Sequence, residues 1–176
     1  MLLGIDPGLS SMGYAFVRIL KNNERVESIG VIRTKPSTKK QKIRSADDVT
    51  RRVVYLITEL DSKMAQHGRI SAVCAESFSP PRNASSAAKV AMAWGAVLGA
   101  TSGPHILVSP QEIKKAVCGS SSASKEDIER TMIERYGDCE DVWDSSPQSQ
   151  RNHGWDALAA VVSCLSDPFV EVTRQP

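Results

Sequence analysis

The stretch LLGIDPGLSSMGYAFV, residues 2–17, carries the strongest fold signal in the chain. An apolar run ends on one carboxylate, Asp6, and the Pro7-Gly8 pair then breaks the chain direction. A second apolar run begins near Met12, so the stretch predicts a buried strand, a turn and a second strand. Asp-Pro-Gly alone is explained by turn chemistry. A functional role for Asp6 is therefore indicated only if other acidic residues in the chain lie beside it.

The rest of the chain predicts alternating strands and helices. Further strands are predicted from runs of apolar residues over 12–20, 26–33, 70–75 and 105–109. Helices are predicted from apolar spacing and capping residues over 46–67, 84–100, from Pro110, over 124–136 and over 153–165. A hairpin-connected group followed by βαβ units predicts an α/β fold with a mixed sheet flanked by helices.

Composition restricts the class of protein. The 176 residues are 41% hydrophobic and 24% charged, which suits one globular domain over residues 1–176. The formal net charge is +2, so an anionic partner must meet a local basic patch. No run approaches the ~20 apolar residues of a membrane span, and the N-terminus has no signal-peptide pattern. Four cysteines without CxxC spacing predict free thiols in a reducing, cytoplasmic setting.

Three carboxylates and a histidine form a candidate metal site. Glu76 follows the strand over 70–75, as Asp6 ends the first strand, and ligands gather outside strand ends in such sheets. In NHGWDALAAVVSCL, His153 and Asp156 share one helix face, although a helix N-terminus alone would also suit Asp156. These groups repel one another unless cations neutralise them. The pattern therefore predicts two Mg²⁺ or Mn²⁺ ions ~4 Å apart that act on a phosphodiester.

These motifs together resemble the RuvC-type Holliday junction resolvases, which have the RNase H-like fold with a mixed five-stranded sheet. Residues 2–17 resemble the family's first hairpin, and AVCAESFSPPRNASSAAKVAMAWGAVLG is similar to its second acidic strand, asparagine-bearing loop and next helix. IKKAVCGSSSASK is similar to its lysine–glycine–lysine segment, and HGWDALA to its final acidic helix. The resemblance covers residues 2–165, and a divergent or phage-type member of the family is one form it could take.

The resemblance implies a metal-dependent endonuclease that acts as a homodimer on four-way DNA junctions. Each subunit would nick one strand and leave a 5′-phosphate and a 3′-hydroxyl, with a branch-migration helicase as a candidate partner. The implied location is the cytoplasm, on the nucleoid, or the host cytoplasm for a phage-encoded chain. The resemblance makes Asp6, Glu76, His153 and Asp156 the metal ligands, His153 standing where many members have another aspartate. It places Lys114 and Lys125 near the scissile phosphate.

Basic and polar residues are candidates for DNA contact. The basic run RTKPSTKKQKIR supplies Arg33, Lys35, Lys39 and Lys40, although such runs often only contact solvent. The other candidates are Phe78, Arg82, Asn83, Ser85, Lys89, Lys114, Lys115 and Lys125. Helix capping is the alternative role for Ser85, and core packing is the alternative for Phe78. Gly95 and Gly99 predict close contact with another helix of this or a second subunit.

Departures from the family pattern keep other functions open. Phe78 lies one residue before the usual aromatic position, and the loop over 137–152 is longer than usual and acidic. A broader nuclease of the same fold, cutting forks or flaps, therefore remains an alternative. A non-catalytic junction-binding module is disfavoured by the intact carboxylates. An actin-like ATPase also has D-x-G at a strand end, but it needs a second such domain.

Overall fold

The computed structural model describes residues 1–38, 41, 43–77, 83–144, 146, 147, 149 and 151–172. Within these residues, five strands form one sheet in the order β3-β2-β1-β4-β5. The strands are β1 Leu2–Asp6, β2 Ser11–Ile19, β3 Glu24–Arg33, β4 Ala72–Glu76 and β5 His105–Val108. Antiparallel pairs join β1 to β2 and β2 to β3, whereas β1–β4 and β4–β5 are parallel. The predicted mixed five-stranded sheet is confirmed.

The helices also follow the predicted order. They are α1 Ser45–His67, α2 Ala84–Ala100, α3 Pro110–Cys118, α4 Lys125–Tyr136, α5 Arg151–Cys164 and α6 Pro168–Val172. A capping box at Ser124 and Asp127 begins α4, as predicted. Pro168, predicted only to stop α5, occupies the first position of α6, where its fixed φ angle is favourable. In the described part of the chain, no helix combines the length and apolarity needed to cross a membrane.

The two faces of the sheet carry separate apolar clusters. Alternation along β1 sends Leu3 and Ile5 towards α1 and α2, and sends Leu2 towards α5 on the other face. Cys74 and Cys164 are buried in the α5 cluster and act as small apolar residues, as predicted. The sheet is therefore covered on both faces, and its ligand-accessible region is the edge where the strands end.

Two glycines allow α5 to lie directly on the sheet. An ideal Cβ at Gly4 would lie 2.1 Å from the Ala157 carbonyl oxygen, and one at Gly13 would lie 1.9 Å from the His153 carbonyl oxygen. Both neighbours are backbone atoms, which cannot rotate aside as a side chain would. Only glycine fits at these positions, and the close contact fixes the height of the first turns of α5 above β1 and β2.

A buried arginine joins α1 to the turn that follows Asp6. Arg52 is 5% exposed; its Nε donates to Thr34 Oγ1 at 2.7 Å, and its Nη2 donates to Ser10 Oγ at 2.8 Å. Asp48 Oδ2 lies 3.9 Å from Arg52 Nη1. The Thr34 hydroxyl in turn donates to the Leu9 carbonyl at 2.5 Å. The network ties α1, the end of β3 and the β1–β2 turn together.

Arg52→Met is expected to lower the free energy of unfolding by about 2 kcal/mol, because the Thr34 and Ser10 hydroxyls lose a buried donor. Urea unfolding measures this loss. Arg51→Met is the matched control, since the Arg51 side chain is 52% exposed and its ion pair with Asp48 is worth less than ~1 kcal/mol. Equal losses in the two variants would contradict the network's importance.

Candidate active site

Acidic side chains meet at one edge of the sheet. Asp6 and Glu76 end the parallel neighbours β1 and β4, whose register pairs Ile5 with Ala75. The first two turns of α5 supply His153 and Asp156. Ligand atoms of Asp6, His153 and Asp156 all lie within 4.8 Å of one another, and we call these three residues the Asp6 cluster. The predicted site residues from β1 and α5 are therefore brought together.

A cleft of about 340 Å³ adjoins the Asp6 cluster. Its lining combines acidic, basic and apolar side chains. The lining residues are Ile5, Asp6, Glu76, Pro110, Ile113, Lys114, Lys125, Ile128 and Asp156. Glu76, which is outside the Asp6 cluster, therefore faces the same space as Asp6 and Asp156. Such a cleft suits a ligand that carries both phosphate charge and an apolar surface.

Burial and neighbouring charges shift the pKa values of the ionisable groups in the site. Burial, and then the charge of Asp6, raises the pKa of Asp156. Desolvation, followed by the charges of Asp6 and Asp156, raises the pKa of Glu76. His153 Nδ1 lies 2.7 Å from Asp6 Oδ2, and this hydrogen bond raises the pKa of His153. Carboxylate oxygens and an imidazole nitrogen in this arrangement fit a divalent cation, which would remove the repulsion.

Two lysines reach the cleft from different helices. Lys125 begins α4, and its Nζ lies 3.5 Å from Asp156 Oδ2. The charge of Asp156 is the main cause that raises the pKa of Lys125, so the amine stays protonated near neutral pH. Lys114 lines the cleft from α3, whereas Lys115, the next residue, is exposed on that helix. The predicted pair Lys114 and Lys125 therefore shares the cleft with the acids, whereas Lys115 is not one of the residues that line it.

A second groove of about 290 Å³ lies on the other side of His153. Its lining consists of Gly8, Leu9, Ser10, Ser11, Ser86, Lys89, Val90 and His153. The predicted candidate Lys89 is thus close to the site. Ser10 and Ser11 could not be identified from the sequence, where only their position after the Asp6 turn marks them.

The structure corrects the alternative role of Ser85. Asn83 is the N-cap of α2, because its side chain accepts from Ser85 N at 2.8 Å and from Ser86 N at 3.3 Å. Capping by Asn83 is favoured since its side-chain oxygen satisfies two free backbone donors of the first turn. The exposed hydroxyl of Ser85 is not used as the cap.

The remaining DNA-contact candidates divide into two groups. Arg33 ends β3 opposite Ser11 of β2, so it lies at the same edge of the sheet as Asp6. Arg33 and Lys35 are both exposed. The others, Lys39, Lys40, Phe78 and Arg82, lie outside the described residues. Their DNA contacts stay predictions.

The acidic loop after α4 contacts the sheet. Trp143 forms a parallel bridge with Ile29 of β3, and Asp144 N donates to the Ile29 carbonyl at 2.9 Å. Asp144 Oδ2 accepts from Val31 N at 3.1 Å and from the Tyr14 hydroxyl at 3.0 Å. This acid is therefore held by donors of β2 and β3. The sequence predicted only that the loop does not suit DNA contact.

The chain is similar to known proteins in sequence and in structure. The family model described as crossover junction endodeoxyribonuclease RuvC matches residues 2–163. Crossover junction endodeoxyribonuclease RuvC of Pseudothermotoga lettingae is 33% identical over 135 residues, which cover 75% of this chain and 77% of the relative.

Two solved structures are similar. Thermus thermophilus RuvC in complex with a Holliday junction substrate has a TM-score of 0.70 and 26% identity, covering 92% of this chain and 90% of that chain. The yeast mitochondrial Holliday junction resolvase has a TM-score of 0.61 and 11% identity, covering 92% of this chain and 76% of that chain. The second similarity concerns the fold alone, and together they confirm the RNase H-like architecture.

Proposed function

Since this chain belongs to the RuvC family of crossover junction endodeoxyribonucleases, we propose that it resolves four-way DNA junctions by paired symmetric nicks. The products would carry 5′-phosphate and 3′-hydroxyl ends. The observation that carries the proposal is the Asp6 cluster, which lies beside a cleft that also contains Lys114 and Lys125. Acids that bind cations and lysines that bind phosphate are the groups that phosphodiester hydrolysis requires.

The metal requirement of the family agrees with the donor set of this chain. We propose that Asp6, Glu76, His153 and Asp156 hold two divalent ions, Mg²⁺ or Mn²⁺, in each subunit. Bound there, the ions would lower the pKa of the attacking water and neutralise charge on the phosphate. Asp6 on a central strand and His153 on a helix packed against it provide ligands that need little rearrangement.

Lys125 and Lys114 are proposed to stabilise the negative charge that develops on the scissile phosphate. The Lys125 side chain is 79% exposed, so its amine can turn from Asp156 towards a strand in the cleft. In the second groove, Lys89 and the neighbouring serines would contact a flanking phosphate. Arg33 and Lys35, at the same sheet edge, would extend the basic surface along the DNA.

We propose a homodimer that uses the exposed face of α2. Met92 is 48% exposed and Leu98 is 57% exposed, and both lie on this helix near Gly95. Among the described residues, no atom lies within 4 Å of an ideal Cβ at Gly95. Gly99 instead faces Ile57 of α1, at 3.6 Å from its Cδ1 atom. Gly95 is therefore the glycine available to a second subunit.

Gly95→Leu is expected to weaken the dimer at least tenfold, because the leucine side chain would separate the two helices. Sedimentation equilibrium at several concentrations measures the dissociation constant. Ala65→Leu places the same side chain at an exposed position of α1 and serves as the control. An unchanged dissociation constant in Gly95→Leu would show that the subunits meet elsewhere.

We also propose the extent of the nuclease domain, its location in the cell and a protein partner. One nuclease domain spans residues 1–176. The substrate places the protein on the nucleoid in the cytoplasm, or in the host cytoplasm if a phage encodes it. A helicase that moves the branch point is the candidate partner, since it would bring new sequence to the cleft.

Cleavage of a labelled synthetic four-way junction tests the function, beside a fork, a flap and a linear duplex, with Mn²⁺ or Mg²⁺. Paired symmetric nicks on the junction alone, absent in Asp6→Asn, are expected. Equal cutting of forks and flaps would replace the proposal with a broader branched-DNA nuclease. Tight junction binding without cutting would indicate a non-catalytic binding module.

His153 should set the metal preference. Mg²⁺ prefers oxygen ligands, whereas Mn²⁺ accepts imidazole more readily, so we expect higher activity with Mn²⁺. His153→Asp is expected to raise the ratio of Mg²⁺ to Mn²⁺ activity several-fold. Rates measured over a range of each metal concentration give the ratio. Identical metal profiles in the two proteins would contradict this role.

A further inference from the structure

Trp143 lies directly against the backbone at the start of α5. An ideal Cβ at Gly154 would lie 2.7 Å from Trp143 Cη2 and 2.9 Å from its Cζ3 atom, so the indole occupies the space beside this glycine. The Trp155 ring contacts the Trp143 ring edge-on, with centroids 5.1 Å apart. The Arg151 guanidinium lies over the indole at 4.8 Å. The Trp143 side chain thus contacts Arg151, Gly154 and Trp155, all in the first turn and a half of α5, on either side of His153 in the sequence.

The same peptide also rests on β2. An ideal Cβ at Gly13 would lie 1.9 Å from the His153 carbonyl oxygen and 3.1 Å from Gly154 N. The peptide that links His153 to Gly154 is therefore in close contact with both the backbone of β2 and the indole of Trp143. We call Gly13, Trp143 and Gly154 the peptide clamp.

The position of the indole is itself set by contacts of Trp143 and Asp144 with the outermost strand, β3, and its neighbour β2. Trp143 pairs with Ile29, and the next residue, Asp144, bonds to Ile29, Val31 and Tyr14. These contacts come from β2 and β3, so the position of Trp143 is set by the same sheet that carries Asp6. The clamp thus fixes the position of the start of α5 relative to β2 and β3.

We propose that Trp143 is a positioning residue that keeps the His153 imidazole in register with Asp6. The distance of 2.7 Å between His153 Nδ1 and Asp6 Oδ2 depends on where the clamped peptide lies. Without the indole, the peptide loses one of its two close contacts and can shift, and the imidazole moves with it. A shift of about 1 Å is enough to impair a site whose ligands must be held in place. The consequence for metal binding rests on the proposed function, whereas the imidazole position does not.

Nitrogen-15 NMR of the imidazole rings tests the position directly in the metal-free protein. The chain has three histidines, so His67 and His105 act as internal references. Trp143→Ala is expected to shift or broaden the His153 ring signals while the two references stay unchanged. Trp143→Phe, which retains an aromatic ring, is expected to restore them in part.

Calorimetric titration with Mn²⁺, without DNA, gives the second measurement. Loss of a group that orients a ligand costs roughly 10- to 100-fold in metal affinity, so Trp143→Ala should weaken Mn²⁺ binding about tenfold. Leu60→Ala is the control for lost stability, because Leu60 is fully buried in the cluster on the other face of the sheet. Its His153 signals and Mn²⁺ affinity should match the wild-type protein.

The outcomes separate the two proposals. Unchanged His153 signals in Trp143→Ala would overturn the positioning role, whatever the metal data show. Wild-type protein that binds no Mn²⁺ would overturn the proposed metal site, while the NMR comparison would still test the clamp. If Trp143→Ala does not fold, Trp143→Leu provides the same comparison, since it keeps apolar volume but lacks the flat ring.

Discussion

Asp6→Asn is expected to lower the single-turnover rate of junction cleavage by about 1,000-fold or more, because a lost metal ligand costs several kcal/mol and each 1.4 kcal/mol is tenfold in rate. The amide keeps the shape of the carboxylate but removes its charge. Junction affinity should stay within a few-fold of wild type, since phosphate contacts from lysine and arginine dominate it.

Asp141→Asn controls for the loss of one negative charge, because Asp141 is an exposed acid of the loop after α4. Its cleavage rate should equal that of the wild-type protein. An Asp6→Asn protein that keeps more than a tenth of the wild-type rate would show that Asp6 is not an essential ligand. A loss of junction binding equal to the loss of cleavage would indicate a role in binding.

Gly13→Ala should cause the second large loss. Its new Cβ would lie 1.9 Å from the carbonyl oxygen of His153, so either β2 or the start of α5 must move. Overpacking of this kind costs about 3 kcal/mol of stability, and a displaced ligand costs about 100-fold in rate. Urea unfolding and single-turnover cleavage at saturating junction concentration measure the two effects separately.

Gly137→Ala is the matched control for Gly13→Ala. Its Cβ would meet Ile133 Cγ2 at 4.0 Å, an ordinary contact, and the residue has α-helical φ and ψ angles. We expect wild-type cleavage and a stability change of at most about 1 kcal/mol in the stabilising direction. If both glycine variants behaved alike, the contact between Gly13 and α5 would not constrain the site.

Much of this site could be predicted because its signals are local. Asp6 and Glu76 end apolar runs, and a parallel arrangement of those runs brings both acids to one edge. The spacing of His153 and Asp156 is that of one helix face. Each inference needed only a short window of sequence and one rule of topology, and the family resemblance added the reaction.

The buried arginine could not be predicted in the same way. Arg52 interrupts an apolar helix face, and its hydroxyl partners are 18 and 42 residues away in the sequence. Nothing near Arg52 identifies Thr34 or Ser10 as its acceptors. Its burial becomes understandable only when three distant segments are packed together.

The role of Asp144 in the acidic loop could not be predicted for a similar reason. Charge counting identified acids that would repel DNA, but Asp144 is bonded to Val31 and Tyr14, 113 and 130 residues earlier. A carboxylate that satisfies backbone donors at a strand edge looks, in sequence, like any other surface acid. The contact between Trp143 and Gly154 could not be predicted either, because it joins a loop residue to a glycine on a separate element.

The contacts that Asp144 makes with β3 also affect the tendency of the protein to aggregate. β3 is a ten-residue edge strand of the sheet. An edge strand with unpaired backbone groups can pair with a strand of another molecule. The backbone of Asp144 and its carboxylate occupy Ile29 O and Val31 N. The other border, β5, has only four residues. The stretch of β3 around Ile29 and Val31 is therefore closed to a strand from another molecule, which disfavours β-linked aggregation when the protein is concentrated.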